Sequence, residues 1–459
     1  MSWAFFIVTF VITILVFLFC IDDLYIDLVA FFKNLKPQSL SEDMLAKMNV
    51  LPQKKIAIMI ANWHEDEILE RMISGNTDRI EYTNYTFYLG VYPNDLPTLN
   101  VAKNIEAQYQ NVRVVVNRVF GPTSKGQMLN QIVQAIRVEE LKQSQAYDVF
   151  MLHDSEDLIH PLSLKLINYH MDDKDFLQIP VFSLPTSSFD FTRCTYIDEF
   201  TVSHTKDMLV RSHLQGAVPS AGVGTAMSRL FVAEMLLLQY GELMKEDTLT
   251  EDYHLGIMAH RLGYKSAFLC FYRLFGKTKD YIATREYFPS RIGTSIRQKT
   301  RWTLGISLQG YKNLKWGKSF YENYFLWRDR RGLVNAPLLI LSYALFIAIG
   351  TSYLVTDKWP TYITQSTVLQ ILFLINFSAL MLKLIQRFRL VGNLNGFHIT
   401  PTIPVRWLLA NYINCMAAIQ ALHSYRKFQK SGERPKWVKT THELPSDFGS
   451  VQKNLERSL

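Results

Sequence analysis

The sequence predicts an α/β protein with a mostly parallel sheet, tethered by an apolar N-terminal run and followed by further apolar runs. Two observations carry this. Between residues 55 and 154, buried-strand patterns alternate with helical ones, the signature of a layered α/β sheet. Outside that region, three stretches are long and apolar enough to cross a bilayer.

The elements follow in order. Residues 3–20 carry no charge, and Asp22 and Asp23 follow them. With no basic leader and no small-residue cleavage site, residues 1–32 read as an uncleaved membrane anchor. The polar stretch 33–54 reads as a linker. "KIAIMIANW" is then a first strand and "EDEILERMISG" its helix; "YTFYLGVYPND" and "LNVAKNIEAQY" form a second pair. "VRVVVNRV" and "KGQMLNQIVQAIRVEELKQ" are the third, and "YDVFMLHD" is a fourth strand. In such sheets ligands bind beyond the carboxyl ends of the strands, where Asp95 and Asp154 fall. This domain is expected to run from 55 to 290, with an interfacial region over 291–330.

Two apolar runs, 333–355 and 366–385, come next. Arg328, Arg330 and Arg331 precede the first, while Lys383, Arg387 and Arg389 close the second. The positive-inside rule puts the short loop between them outside and both basic flanks in the cytoplasm. Lys33 and Lys36 behind the anchor agree, so residues 33–330 are expected to be cytoplasmic. A fourth segment, 405–427, is interrupted by Asn411, Asn414 and Gln420. It reads as a span with its amides turned into the protein, or as a re-entrant or interfacial helix. The second reading keeps the basic tail 426–459 on the cytoplasmic side, giving a membrane region over 331–425.

Among the 459 residues, 49 Lys and Arg face 41 Asp and Glu, a formal charge of +8. Much of the excess flanks the apolar runs, where it meets anionic lipid. No motif for nucleic acid appears, and none is expected as a partner. The four cysteines are scattered without a CxxC pair, which suits a reducing compartment. "SAGVGTAMS" follows no clear strand, so its glycines are not a dinucleotide fingerprint. His254 and His260 are six residues apart and share no helical face for a metal.

Three motifs carry chemistry. In "LHDSEDLIHP", Asp154, Glu156 and Asp157 repel one another unless cations or donors lie nearby. A hard divalent ion such as Mg²⁺ or Mn²⁺ uses one or two carboxylates and completes its shell with substrate phosphates. Asp154 and Glu156 alternate, and on extended backbone they point to one side. The competing reading is a solvated acidic loop. "LTEDYHLG" adds Glu251 and Asp252 at a helix start, with Thr250 as its cap; the pair reads as dipole-friendly acids or as a general base. In "SIRQKTRWTLG", Gln298, Arg301 and Trp302 lie on neighbouring helical faces. Arg clamps phosphate and Trp stacks on a sugar, although a basic interfacial helix has the same composition.

Asp95, "SKGQMLN", "DSED", "TED" and "QKTRW" in this order resemble the membrane-integrated, cellulose-synthase-like family 2 glycosyltransferases, with their D, DxD, TED and QxxRW signatures. "IDDLYIDL", "VYPND" and "KWVKTTHELP" are similar to its phage-adsorption protein B (NfrB-type) branch. The similarity runs along nearly the whole chain, and QxxRW between TED and a membrane run is its most specific part. The resemblance implies a GT-A fold and an inverting, processive hexosyltransferase at the bacterial inner membrane. It would move a sugar, a UDP-hexose or UDP-N-acetylhexosamine by expectation, onto a growing exopolysaccharide.

By the same resemblance Glu65 and Asp95 lie near the base and ribose, and Lys125 near the diphosphate. Asp154 and Glu156 hold Mg²⁺ or Mn²⁺, and Asp252 is the base. Gln298, Arg301 and Trp302 meet donor pyrophosphate and acceptor sugar. Gly222, Gly224 and Glu251 lie on the acceptor side. Glu replaces the second Asp of DxD, which leaves Asp157 as an alternative ligand. The apolar spans are fewer than in cellulose synthases, so a complete channel in one chain is not implied. The implied partners are a nucleoside-diphosphate sugar, a polysaccharide or lipid acceptor, the bilayer and an outer-membrane export partner. The competing functions are a non-processive transferase making a lipid-linked monosaccharide and a non-catalytic membrane scaffold.

Overall fold

A computed structural model describes residues 2–276 and 278–431. Its centre is a seven-stranded sheet built from β1 (Ile56–Ala61), β2 (Tyr85–Val91), β3 (Val112–Val116), β4 (Val149–His153), β5 (Phe176–Gln178), β6 (Thr225–Ser228) and β7 (Ser266–Phe268). The strand order is β3-β2-β1-β4-β6-β5-β7. All pairs are parallel except those of β6, which runs antiparallel to both β4 and β5. The expected alternation is present, and its physical cause is visible in β1. Ile56, Ile58 and Ile60 enter one core; Ala57 and Met59 enter the core on the other face. A strand buried on both faces reads as a continuous apolar run, which is how β1 to β4 read.

The helices that matter are α1 (Ser2–Phe32), α2 (Leu69–Thr77), α3 (Leu96–Gln108), α4 (Lys125–Gln143), α5 (Phe191–Val202), α6 (Glu251–Arg261), α7 (Ile292–Thr303), α8 (Phe320–Arg330), α9 (Gly332–Thr356), α10 (Thr367–Asn395) and α11 (Ile403–Ser431). The stretch expected as a linker is folded. Gln38 and Ser39 pair with the strand Phe271–Phe275, and a Ser41-capped helix, Glu42–Val50, buries Met48 in the main core. Its polar composition hid it, because only Leu40 and Met48 go deep.

Among the described residues, three helices are long and apolar enough to cross a membrane: Trp3–Phe32, Gly332–Thr356 and Thr367–Asn395. Acidic residues of the first meet basic residues at the flanks of the other two in ion pairs. Asp22 of α1 pairs with Arg328 and Arg331, Asp23 with Arg331 and Lys383, and Asp27 with Lys206. The start of α9, the end of α10 and the acidic part of α1 therefore lie together. Helix α11 is not one of the three. The three amides that interrupt its apolar run each bond to protein: Asn411 donates to Tyr343 of α9, Asn414 to Glu199 of α5, and Gln420 accepts from Thr300 of α7. Arg406 of α11 makes a two-pronged pair with Asp198 of α5, and both are fully buried. The tail motif at 436–442 lies outside the described residues.

Candidate active site

A cleft of about 700 Å³ opens at the carboxyl ends of β1 and β4, a volume typical of small-molecule sites. It is lined by Glu65, Lys125, Asp154, Glu156, Gly222, Glu251, Asp252, Gln298, Arg301 and Trp302. Motifs far apart in the chain thus share one cleft. Two expected residues do not line it. Asp95 is buried beneath, where Oδ2 accepts the His64 N–H at 2.7 Å. Gly224 is buried behind the cleft, against Thr284 and Ile179.

Strand β4 ends at His153, so Asp154, Glu156 and Asp157 sit on a turn closed by Asp157 N–H to Asp154 O. The extended-backbone reason for pairing Asp154 with Glu156 is therefore replaced by a turn that still presents both to the cleft. Asp157 faces the other way. Its Oδ2 accepts the Asp154 N–H at 2.9 Å and lies 2.7 Å from His153 Nδ1, both side chains being fully buried. Burial, with the charges of Asp154 and Glu156, raises the Asp157 carboxyl well above its usual range. Burial pushes His153 down to about 3. Asp157 is a strut for the turn.

Lys125 is the first residue of α4, whose N-cap Ser124 accepts the Gln127 N–H. A cation there opposes the helix dipole. It is held by Asp154, with Nζ to Oδ1 at 2.5 Å. Burial works against the ammonium, but Asp154 and Glu251 outweigh it and hold Lys125 above the ordinary lysine range.

The TED acids open α6. Thr250 stands at the N-cap position without making the expected side-chain cap, and its hydroxyl lies instead against Gly305. Burial, then the charge of Asp252, lifts Glu251 to about 7. Burial also raises Asp252, with Lys125 and Arg301 pulling the other way. Gly222, at φ +81°, lets its loop pass so close that a Cβ would lie 2.6 Å from Asp252 Oδ2. Any larger residue there would displace the carboxylate.

Helix α7 brings Gln298, Arg301 and Trp302 to the opposite wall, then widens into a π-helical turn, Leu304–Gln309. Such turns are frequent at functional sites. Here the turn sends Gln309 to accept the Leu249 N–H at 3.0 Å, fixing the approach to TED. Buried Gln298 Oε1 and Arg301 Nε have no hydrogen-bond partner among the described residues, and both side chains line the cleft. Trp302 leans edge-on against Tyr196 and Phe200.

The sequence reading missed Trp63, Tyr92, Glu286, Gln309 and Phe428, which also line the cleft. Trp63 and Tyr92 stand edge to face at 5.1 Å. Trp63 was findable, since it follows β1 as Asp154 follows β4. Asn130 was legible only as part of a motif. It grips the loop before TED, accepting from Leu243 and Met244 N–H and donating to Met244 O.

Asp154 and Glu156 are hard oxygen donors on one cleft wall, which suits Mg²⁺ or Mn²⁺ completed by phosphate oxygens. Among the described residues no group of three or more His, Cys, Asp or Glu is arranged to hold a metal alone.

Comparison with known proteins agrees with this geometry. The chain is 33% identical, over 98% of its length, to bacteriophage adsorption protein B of Escherichia coli strain K12 and bacteriophage N4 adsorption protein B of E. coli O157:H7. It spans 64% of the length of those relatives. The mannosyltransferase PcManGT from Pyrobaculum calidifontis, solved with GDP-Man and Mn²⁺, superposes with a TM-score of 0.56 at 12% identity. That match covers 92% of this chain and 99% of the other, and it shows the GT-A fold. The profile of glycosyltransferase-like family 2 matches residues 52–305, which hold every motif of the cleft. The chain belongs to glycosyltransferase-like family 2.

Proposed function

We propose that this chain is an inverting, processive glycosyltransferase that moves a sugar from a nucleoside-diphosphate sugar to a growing polysaccharide at a bacterial inner membrane. One observation carries the reading: Lys125, Asp154, Glu156, Asp252 and Arg301 line one cleft, in a chain that also carries three membrane-length helices. Asp252 takes the proton of the acceptor hydroxyl as its oxygen bonds to the anomeric carbon. The bond from that carbon to the diphosphate breaks on the opposite face, so configuration inverts. Lys125 and Arg301 offset the charge that develops on the departing diphosphate. Asp154 and Glu156 would hold a divalent cation, which when bound would supply further positive charge there, a reading that the Mn²⁺ of the mannosyltransferase neighbour supports. Trp63 and Tyr92 offer flat surfaces to the base, and Trp302 one to the acceptor sugar. The remaining expected roles of Glu65, Asp95, Gly222, Gly224, Glu251 and Gln298 are part of the same proposal, with Asp95 acting indirectly through the His64 backbone. The catalytic domain faces the cytoplasm, where nucleotide-sugars are made.

The test is a screen of UDP- and GDP-sugars for diphosphate release in membranes, with and without Mn²⁺ or Mg²⁺. Metal-dependent release from one donor, with a product many sugars long, is expected. A product of one sugar on lipid would reject processivity. No release from any donor would reject transfer itself.

A further inference from the structure

We propose that Asp329 is a positioning residue for transfer, tying three walls of the cleft, the TED helix, the Gly222 loop and the QxxRW helix, to the membrane anchor. Asp329 lies near the end of α8, just before the span α9 and outside the cleft lining. Its contacts reach each wall. Oδ2 accepts the hydroxyl of Tyr253 at 2.6 Å, and Tyr253 directly follows Asp252 on α6. Both carboxylate oxygens accept from Arg211, at 2.7 and 3.0 Å, in a two-pronged pair with side chains 6% and 16% exposed. Arg211 Nε in turn donates to Ala217 O, in the irregular segment that leads to Gly222. The backbone carbonyl of Asp329 accepts from Ser307, inside the π-helical turn behind QxxRW.

The walls also touch each other. Gly256 of α6 sits so near residues 218–220 that a Cβ would lie 2.4 Å from Val218 O. Any shift of α6 therefore moves the Gly222 loop as well. On either side of Asp329, Arg328 and Arg331 pair with Asp22 and Asp23 of α1. One short segment thus holds the helix that carries the base, the loop against it, the QxxRW helix and the anchor. Burial and the neighbouring Asp329 charge hold the Tyr253 phenol well above its usual range, so this hydroxyl stays a donor at working pH. A misplacement of about 1 Å costs on the order of a hundredfold in rate, so such a junction has catalytic weight without touching substrate.

This rests on Asp252 as the base, and the test separates the two claims. Tyr253→Phe removes one hydrogen bond and no charge; Asp329→Asn keeps the shape and leaves Arg211 unpaired. Hydrogen exchange of residues 251–261 is measured alongside kcat and donor KM in the full chain in membranes. Expected for both variants are faster exchange in 251–261 and a kcat lowered roughly tenfold or more, with donor KM unchanged. The double variant should be no worse than Asp329→Asn alone, because both break one junction. Unchanged exchange and kcat in Tyr253→Phe would overturn the proposal, as would fully additive losses. Faster exchange at 251–261 supports the junction whether or not Asp252 proves to be the base. If Asp329→Asn fails to fold, Tyr253→Phe decides alone.

Discussion

At the scale of single residues, the acidic turn divides its labour by direction. Asp154 and Glu156 line the cleft, while Asp157 turns inward to hold the Asp154 N–H. Asp154→Ala and Glu156→Ala are each expected to weaken Mn²⁺-dependent binding of a nucleoside diphosphate at least tenfold, about 1.4 kcal/mol. Asp157→Asn, which keeps an acceptor for the turn, should cost far less. Titration calorimetry ranks them, and equal losses at all three would replace the pair with a shared acidic bowl. A pH effect belongs here too. Glu251 is lifted to about 7 by burial and by Asp252, so the pair gains a proton as pH falls through neutrality. The base works only when ionised, and burial raises Asp252, so turnover should fall as pH drops through a range above that of an ordinary aspartate. Glu251→Gln removes the like charge and should move that limb to lower pH; an unmoved limb would separate Glu251 from the base. The carboxylates were legible because charges clustered behind an apolar strand are costly without a ligand. The inward turn of Asp157 was not, since it depends on buried His153.

At the scale of elements, legibility followed periodicity. Strands β1 to β4 and their helices alternate in pattern because both faces of the sheet are covered. Strand β6 has only four residues and lies behind the glycines of "SAGVGTAMS", so no period could announce it. The anchor is a case where charge decided. Asp22 and Asp23 look like the end of a span, yet they bind the basic flanks of both later spans. Breaking one side of a buried network leaves uncompensated charge, typically costing about 3 kcal/mol or more. Asp23→Ala should therefore lower the thermal midpoint in detergent, and adding Lys383→Met should restore part of it. No loss in the single variant, or no recovery in the double, would make these pairs dispensable surface bridges.

At the scale of the whole molecule, the charge bias near the apolar runs gave the expected orientation, and the shared ion network fits spans whose basic ends lie on one side. Single cysteines at exposed Lys358 and Lys430 should report it from outside intact cells: position 358 labels and position 430 does not. Labelling at 430 would make α11 a fourth crossing. The order of motifs along the chain was readable and the family resemblance implied one shared site, but composition and spacing alone could not show it, because the meeting depends on the π-helical turn after α7 packing through Gln309 and Gly305 onto the start of α6. The most direct test of that meeting is Asp252→Asn in membranes, measured for both donor binding and sugar transfer. Donor affinity should stay within about threefold while transfer falls by roughly 10²–10⁴-fold, as expected for loss of a general base. Near-normal transfer by the folded variant would contradict the account at its centre.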